Sequence, residues 1–225
     1  MNIGIIGCGW LGKPLSKYLS KDHQVSCFHR SDTHDIFWKN ELFIICISTK
    51  DNYLQSLQNF LLKIPSKAKI ILMSSTSVYK EFDKEVTEET FIHEKTIQKE
   101  AEELMQKAPN KLLILRLGGL MGEDRIAGKW KSVSTFADSP VNYIHQEDIL
   151  PIVSTFIQKD IHSGIFNLVS PLHPLRSQVH KKNAQDFGFE LGNFKGMSQR
   201  VVSSNKLIKT LDYNFIYPNP LEFWT

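Results

Sequence analysis

Two periodicities alternate along the chain. Residues 2–6, 24–29, 41–48, 69–73, 111–117 and 164–169 are short runs rich in Ile, Leu, Val and Phe. Runs apolar on consecutive positions predict strands buried on both faces, as parallel sheets require. Between them, 13–20, 52–62, 146–158 and 175–187 predict helices, and 87–107 a long polar helix or a pair of helical turns; in 52–62 the apolar stripe is Leu54, Leu57, Leu61 and Leu62, stopped by Pro65. Strand–helix alternation with right-handed crossovers predicts an α/β fold with a doubly wound parallel sheet, the Rossmann fold. Beyond Gly118 the alternation loosens into Gly-rich and polar segments, which predicts a small C-terminal substrate lobe (118–225) within a single domain of 1–225.

The first strand runs directly into Gly7-Cys8-Gly9-Trp10-Leu11-Gly12, and a helical pattern follows. Strand, glycine loop and helix in that order form the dinucleotide-binding fingerprint. Gly7 makes the turn, Gly9 lets backbone approach a pyrophosphate, and Gly12 lets helix and sheet pack closely. Trp10 points its large ring away from the phosphates and covers the loop. Lys13 opposes the helix dipole unless an anion is bound nearby, and Pro14 fits a first helical turn. Where NAD-selective sites carry a carboxylate after the second strand, this chain has Arg30-Ser31. A guanidinium suits a 2′-phosphate, so the cofactor expected is NADP, with NAD the alternative. Ser48 and Thr49 follow the third strand at the ligand-binding edge of such sheets, where they either border a ribose or cap the next helix.

Composition narrows the class. The 225 residues are 41% hydrophobic and 23% charged, with net charge +3. That charge, without a basic stripe, argues against a nucleic-acid partner. No apolar run approaches a membrane span, and the first residues enter a core strand without a leader, so a cytoplasmic protein is expected. Cys8, Cys27 and Cys46 lack CxxC spacing and are expected to be reduced core residues, neither disulfide-bonded nor metal-ligating.

The fourth strand ends in Ser74-Ser75-Thr76-Ser77-Val78-Tyr79. With the N-terminal fingerprint, this segment resembles the extended short-chain dehydrogenase/reductase family of NAD(P)-dependent nucleotide-sugar epimerases and dehydratases. Residues 115–122 (LRLGGLMG), 142–149 (NYIHQEDI), 174–176 (PLR) and 200–207 (RVVSSNKL) resemble later motifs of the family. The resemblance implies a small-molecule substrate of the nucleotide-sugar type and assigns Ser75 to the catalytic Ser/Thr position. It also places Arg116, His145 and Arg176 near substrate, although Arg116 reads equally as a buried ion-paired residue. Relatives often dimerise through the helix that 93–107 would form; its charges read as a wet face, which leaves a homodimer open.

The chain departs from the family at the base. No tyrosine stands between Tyr79 and Tyr143, and alignment of the helix puts Glu94 at the tyrosine of YxxxK and Gln98 at its lysine. Tyr79, Glu94, His93 and His145 are the groups able to replace it. Three readings stay open: an oxidoreductase or epimerase with a substitute base, a nucleotide-binding sensor or partner without turnover, and a lyase or isomerase that uses the nucleotide structurally.

Overall fold

The computed structural model describes residues 1–28, 35–50, 52–130 and 135–224. In chain order the elements are β1 (Asn2–Ile6), α1 (Gly12–Leu19), β2 (Gln24–Phe28), β3 (Leu42–Ile45), α2 (Tyr53–Leu61), β4 (Lys69–Ser75), β5 (Glu85–Val86), α3 (Ile97–Gln106) and β6 (Leu112–Leu117). There follow β7 (Gly119–Met121), β8 (Thr135–Phe136), β9 (Tyr143–His145), α4 (Gln146–Gln158), β10 (Gly164–Leu168), α5 (Arg176–Phe187), β11 (Asn193–Phe194), β12 (Val201–Val202) and α6 (Asn205–Leu211).

The strand runs become the central sheet, in the order β10-β6-β4-β3-β1-β2. β1 pairs in parallel with β2 on one side and β3 on the other, and β3 pairs in parallel with β4. The chain therefore reverses its direction of winding between β1 and β3. In a doubly wound sheet this reversal opens a crevice at the carboxyl ends of the strands. The predicted Rossmann sheet is present.

Two compact units divide the chain: residues 1–78, 92–116 and 153–166 form the first, and 79–91, 117–152 and 167–225 the second. The first is held by Ile6, Phe43, Ile45, Leu57, Leu72, Met105 and Ile114, all essentially inaccessible to water. The second carries three short parallel ladders, β5–β12, β7–β9 and β8–β11. Met121, Val141, Tyr143, Val179 and Phe223 form a core beneath them. Among the described residues, no helix is long and apolar enough to cross a membrane, and no cluster of three metal-ligating side chains occurs.

Three expectations need correction. Helix α3 begins only at Ile97, because Thr96 is extended and its hydroxyl accepts the Lys99 N–H as an N-cap; 87–96 is irregular. The wet face expected of this helix holds for Lys99 and Glu103, which pair one turn apart at 3.4 Å. It fails for Glu102, which is 1% exposed. The reduced state expected of all three cysteines also fails, since Cys8 and Cys27 form a disulfide and only Cys46 is free. The cause is the pairing of β1 with β2: Ile5 stands opposite Cys27, and Cys8 follows Ile5 by three residues in the loop.

Candidate functional site

The first unit gathers its candidate residues along one sheet edge. Register places Ile6 beside Ile45 and Ile45 beside Leu72. The glycine loop, Ser48-Thr49 and Ser75 thus all follow strand ends at the same edge. Gly7 has a φ of +96°, and a Cβ there would stand 2.9 Å from the Cys46 carbonyl oxygen. At Gly12 a Cβ would fall 2.2 Å from the Gly7 oxygen, so loop and helix can meet only through glycine. Gly9 is exposed, and a Cβ there would meet nothing within 4 Å, so its backbone is open to a ligand. Leu11 makes no side-chain cap at the start of α1 and the first turn carries no acidic residue, which leaves the positive end of the helix suited to an anion. Leu11 is buried and Trp10 half-buried.

Ser48 and Thr49 lie at the winding reversal, and both are exposed. The Ser48 hydroxyl accepts the Lys50 N–H at 3.1 Å, and Asn52, in the left-handed region, precedes α2 without a side-chain cap. Ser75 is half-buried; its hydroxyl accepts the Ser77 N–H at 3.1 Å and donates to Ser77 Oγ at 3.0 Å. Glu94 is half-buried in the irregular segment before α3, and its carbonyl accepts the Thr96 N–H. Arg30 and Ser31 lie outside the described residues.

Below this edge lies a charged pair that sequence reading left undecided. Arg116, 2% exposed, donates from Nη2 to Glu102 Oε2 at 2.6 Å and from Nε to Oε1 at 3.0 Å. Ser74 Oγ donates to the same Oε1 at 2.6 Å. Arg116 is the buried ion-paired arginine of the two alternatives, and through Glu102 it anchors the strand end that carries Ser75.

In the second unit Tyr79 is fully buried. Its phenol donates to Asn167 Oδ1 at 3.1 Å, and its carbonyl accepts Arg200 Nη1. Asn167 is fixed in turn by donating to the Ser203 carbonyl and by its own N–H to Glu88. His145 is 4% exposed, with its ring 4.0 Å from that of Tyr217 and its Nδ1 accepting the Glu147 N–H. Burial lowers its pKa, against the opposing charge of Glu147. Asp148, three residues on, is inaccessible and accepts hydrogen bonds from Tyr213 Oη, Ile216 N and Tyr217 N.

Arg176 opens α5, half-buried, and donates to the Ala137 carbonyl at 2.7 Å. It also hydrogen-bonds the Tyr143 phenol. Its charge helps burial lower the pKa of Arg200, so two guanidinium groups share this part of the unit. Sequence reading did not single out His180, the centre of this cluster. His180 Nε2 lies 2.9 Å from Tyr143 Oη, and the rings of Phe136 and Trp130 meet its imidazole edge-on at 4.9 and 5.4 Å. Burial first, and Arg176 second, push its pKa down to about 4. Helix α5 is polar along most of its length, so only tertiary packing reveals this residue.

The lowered pKa sets a pH dependence. Between about pH 6.5 and 4 the unfolded chain takes up a proton that folded His180 refuses, so stability contributed by this site is lost as pH falls through that window. Burial shifts His145, His162 and His173 in the same direction. The melting temperature is expected to drop by several degrees from pH 8 to 5, and by less in His180→Leu; equal drops in thermal melts of the two proteins would exclude this linkage.

No family profile matches the chain. Among curated proteins it is similar to Protein YeeZ of Escherichia coli strain K12, with 25% identity over 266 aligned positions and 97% of each chain covered. Among solved structures it is similar to a Bacillus cereus UDP-glucuronic acid 4-epimerase in complex with NAD, at TM-score 0.77 and 16% identity, covering 100% of this chain and 97% of the other. It is also similar to the human epimerase family protein SDR39U1 (isoform 2) with NADPH, at TM-score 0.75 and 12% identity, covering 99% and 97%. The chain thus has the Rossmann-type fold of these solved epimerase-family structures.

Proposed function

We propose that the protein binds NADP or NAD at the glycine loop and acts on a small molecule of the nucleotide-sugar class as an oxidoreductase or epimerase with a non-standard base. The observation that carries this reading is the loop itself: Gly9 open, Gly7 and Gly12 admitting no side chain, and an uncapped helix start at the winding reversal. The bound nicotinamide supplies a hydride acceptor and donor. Gly7 to Gly12 hold the pyrophosphate, Ser48 and Thr49 border a ribose, and Arg30 with Ser31 meets a 2′-phosphate. Solved structures of the same fold hold NAD or NADPH, and one is a UDP-sugar epimerase. Ser75 orients the substrate oxygen, and Glu94 takes its proton. Tyr79, another of the candidate bases, has its phenol committed to Asn167.

A second reading, a nucleotide-binding sensor without turnover, draws on that same burial of Tyr79. Titration with NADPH and NADH, followed by turnover with nucleotide sugars at the reduced-nicotinamide absorbance, separates the two. The expected result is tighter binding of NADPH and turnover that falls about 10²–10⁴-fold in Glu94→Gln. Tyr79→Phe is expected to keep nucleotide binding and to cost about 1–3 kcal/mol of stability through Asn167. Binding without turnover on any substrate assigns the sensor role; absence of binding removes both readings.

A further inference from the structure

We propose that the Cys8–Cys27 disulfide is a redox-controlled clamp on the nucleotide site, and that its oxidised state is the one that binds dinucleotide tightly. The proposal rests on the glycine loop being a nucleotide site. Cys8 stands between the glycine that turns the chain and the glycine left open for a ligand, and Cys27 is on the neighbouring strand β2, with Cα atoms 5.9 Å apart. That span is ordinary for a disulfide and needs no displacement of the backbone. Among the described residues, the backbone contact of the loop with β2 is a long one, Gly7 N to Phe28 O at 3.4 Å. Both half-cystines are partly exposed, so a small thiol or disulfide can reach them. Cys46 does not compete: it is the remaining thiol, and burial pushes its pKa up to about 12, which keeps it protonated and unreactive.

The chemistry is thiol–disulfide exchange with a low-molecular-weight disulfide as oxidant. A thiolate of the reduced pair attacks the oxidant, forming a mixed disulfide and releasing one small thiolate. The second cysteine then attacks the protein sulfur of that mixed disulfide and displaces the other small thiol. Two protein thiols lose two electrons and two protons in all, and one oxidant disulfide becomes two thiols. Reversal by a dithiol opens the loop.

A loop already fixed in the shape that leaves Gly9 open has less freedom to lose when ligand binds, so the bond raises affinity by preorganisation. Binding and oxidation are then reciprocally linked. With a tenfold ratio of affinities, saturating nucleotide makes the midpoint potential of the pair about 30 mV more negative.

The test equilibrates the full chain with glutathione disulfide or with dithiothreitol and titrates each form with NADPH and NADH. Alkylation of the denatured protein should find one free thiol in the first form and three in the second. The oxidised form is expected to bind its preferred nucleotide about tenfold more tightly. Cys27→Ser is expected to bind like the reduced form whatever the treatment. Three free thiols after oxidation, or an oxidised form that binds no better than the reduced one, overturns the clamp while leaving the nucleotide site standing. Absence of binding in both forms overturns the site and the clamp together.

Discussion

Replacing Glu102 by alanine should destabilise the protein by about 3–5 kcal/mol, because it removes the carboxylate that faces the Arg116 guanidinium in a site that is 2% exposed. Arg116 would lose hydrogen bonds to both Glu102 oxygens, and Ser74 would lose its acceptor. A buried ion pair adds little over apolar residues of similar volume, whereas breaking one leaves an uncompensated charge. The double variant Glu102→Leu/Arg116→Met should therefore recover most of the loss. Urea denaturation of the three proteins, compared at their midpoints, checks both statements; a single variant within about 1 kcal/mol of wild type would mean that water reaches Arg116. The same variant bears on chemistry, since Ser74 precedes Ser75 on β4 and its anchor is the Glu102 carboxylate.

Within the glycine loop, two substitutions should separate folding from binding. A side chain at Gly12 meets the Gly7 carbonyl oxygen at 2.2 Å, a backbone atom that moves only if the turn moves. Gly12→Val is expected to cost stability and to weaken nucleotide binding about 10–100-fold. Gly9→Ala adds a methyl that touches nothing in the protein, so its melting temperature should stay at the wild-type value. Its affinity should nevertheless fall, because the methyl occupies the space through which backbone and pyrophosphate approach. Calorimetric melting and NADPH titration of both variants provide the comparison. Full affinity in Gly9→Ala would place the nucleotide elsewhere.

The inner strands β3, β4 and β6 were legible because their middles are apolar on consecutive positions, and α4 was read at the bounds it adopts, Gln146–Gln158. α3 was overextended because 87–96 is as polar as the helix that follows, and polarity alone carries no period. Arg116 held a clue that was only half used. An arginine inside the apolar run LLILRL calls for a buried carboxylate, and Glu102 sits beside Ala101 and one turn before Met105 on the buried side of α3. The disulfide was invisible for a different reason. A separation of 19 residues matches no local spacing rule, and the two sulfurs meet only because β1 and β2 are neighbours in the sheet. His180 meets Phe136 and Tyr143 from distant parts of the sequence, which a linear reading cannot bring together.

The hydrogen bonds around Asp148 also set an order of events during synthesis. Its carboxylate is inaccessible to water, and the donors that satisfy it stand 65 to 69 residues later, at Tyr213, Ile216 and Tyr217. A nascent chain that has not emerged past Tyr217 would bury this acid without partners, so it must hold that region open to solvent. The β5 ladder likewise waits for Val201 and Val202. The second unit therefore closes only after residues 201–217 have been synthesised, and until then its apolar residues stay exposed to solvent and open to wrong contacts.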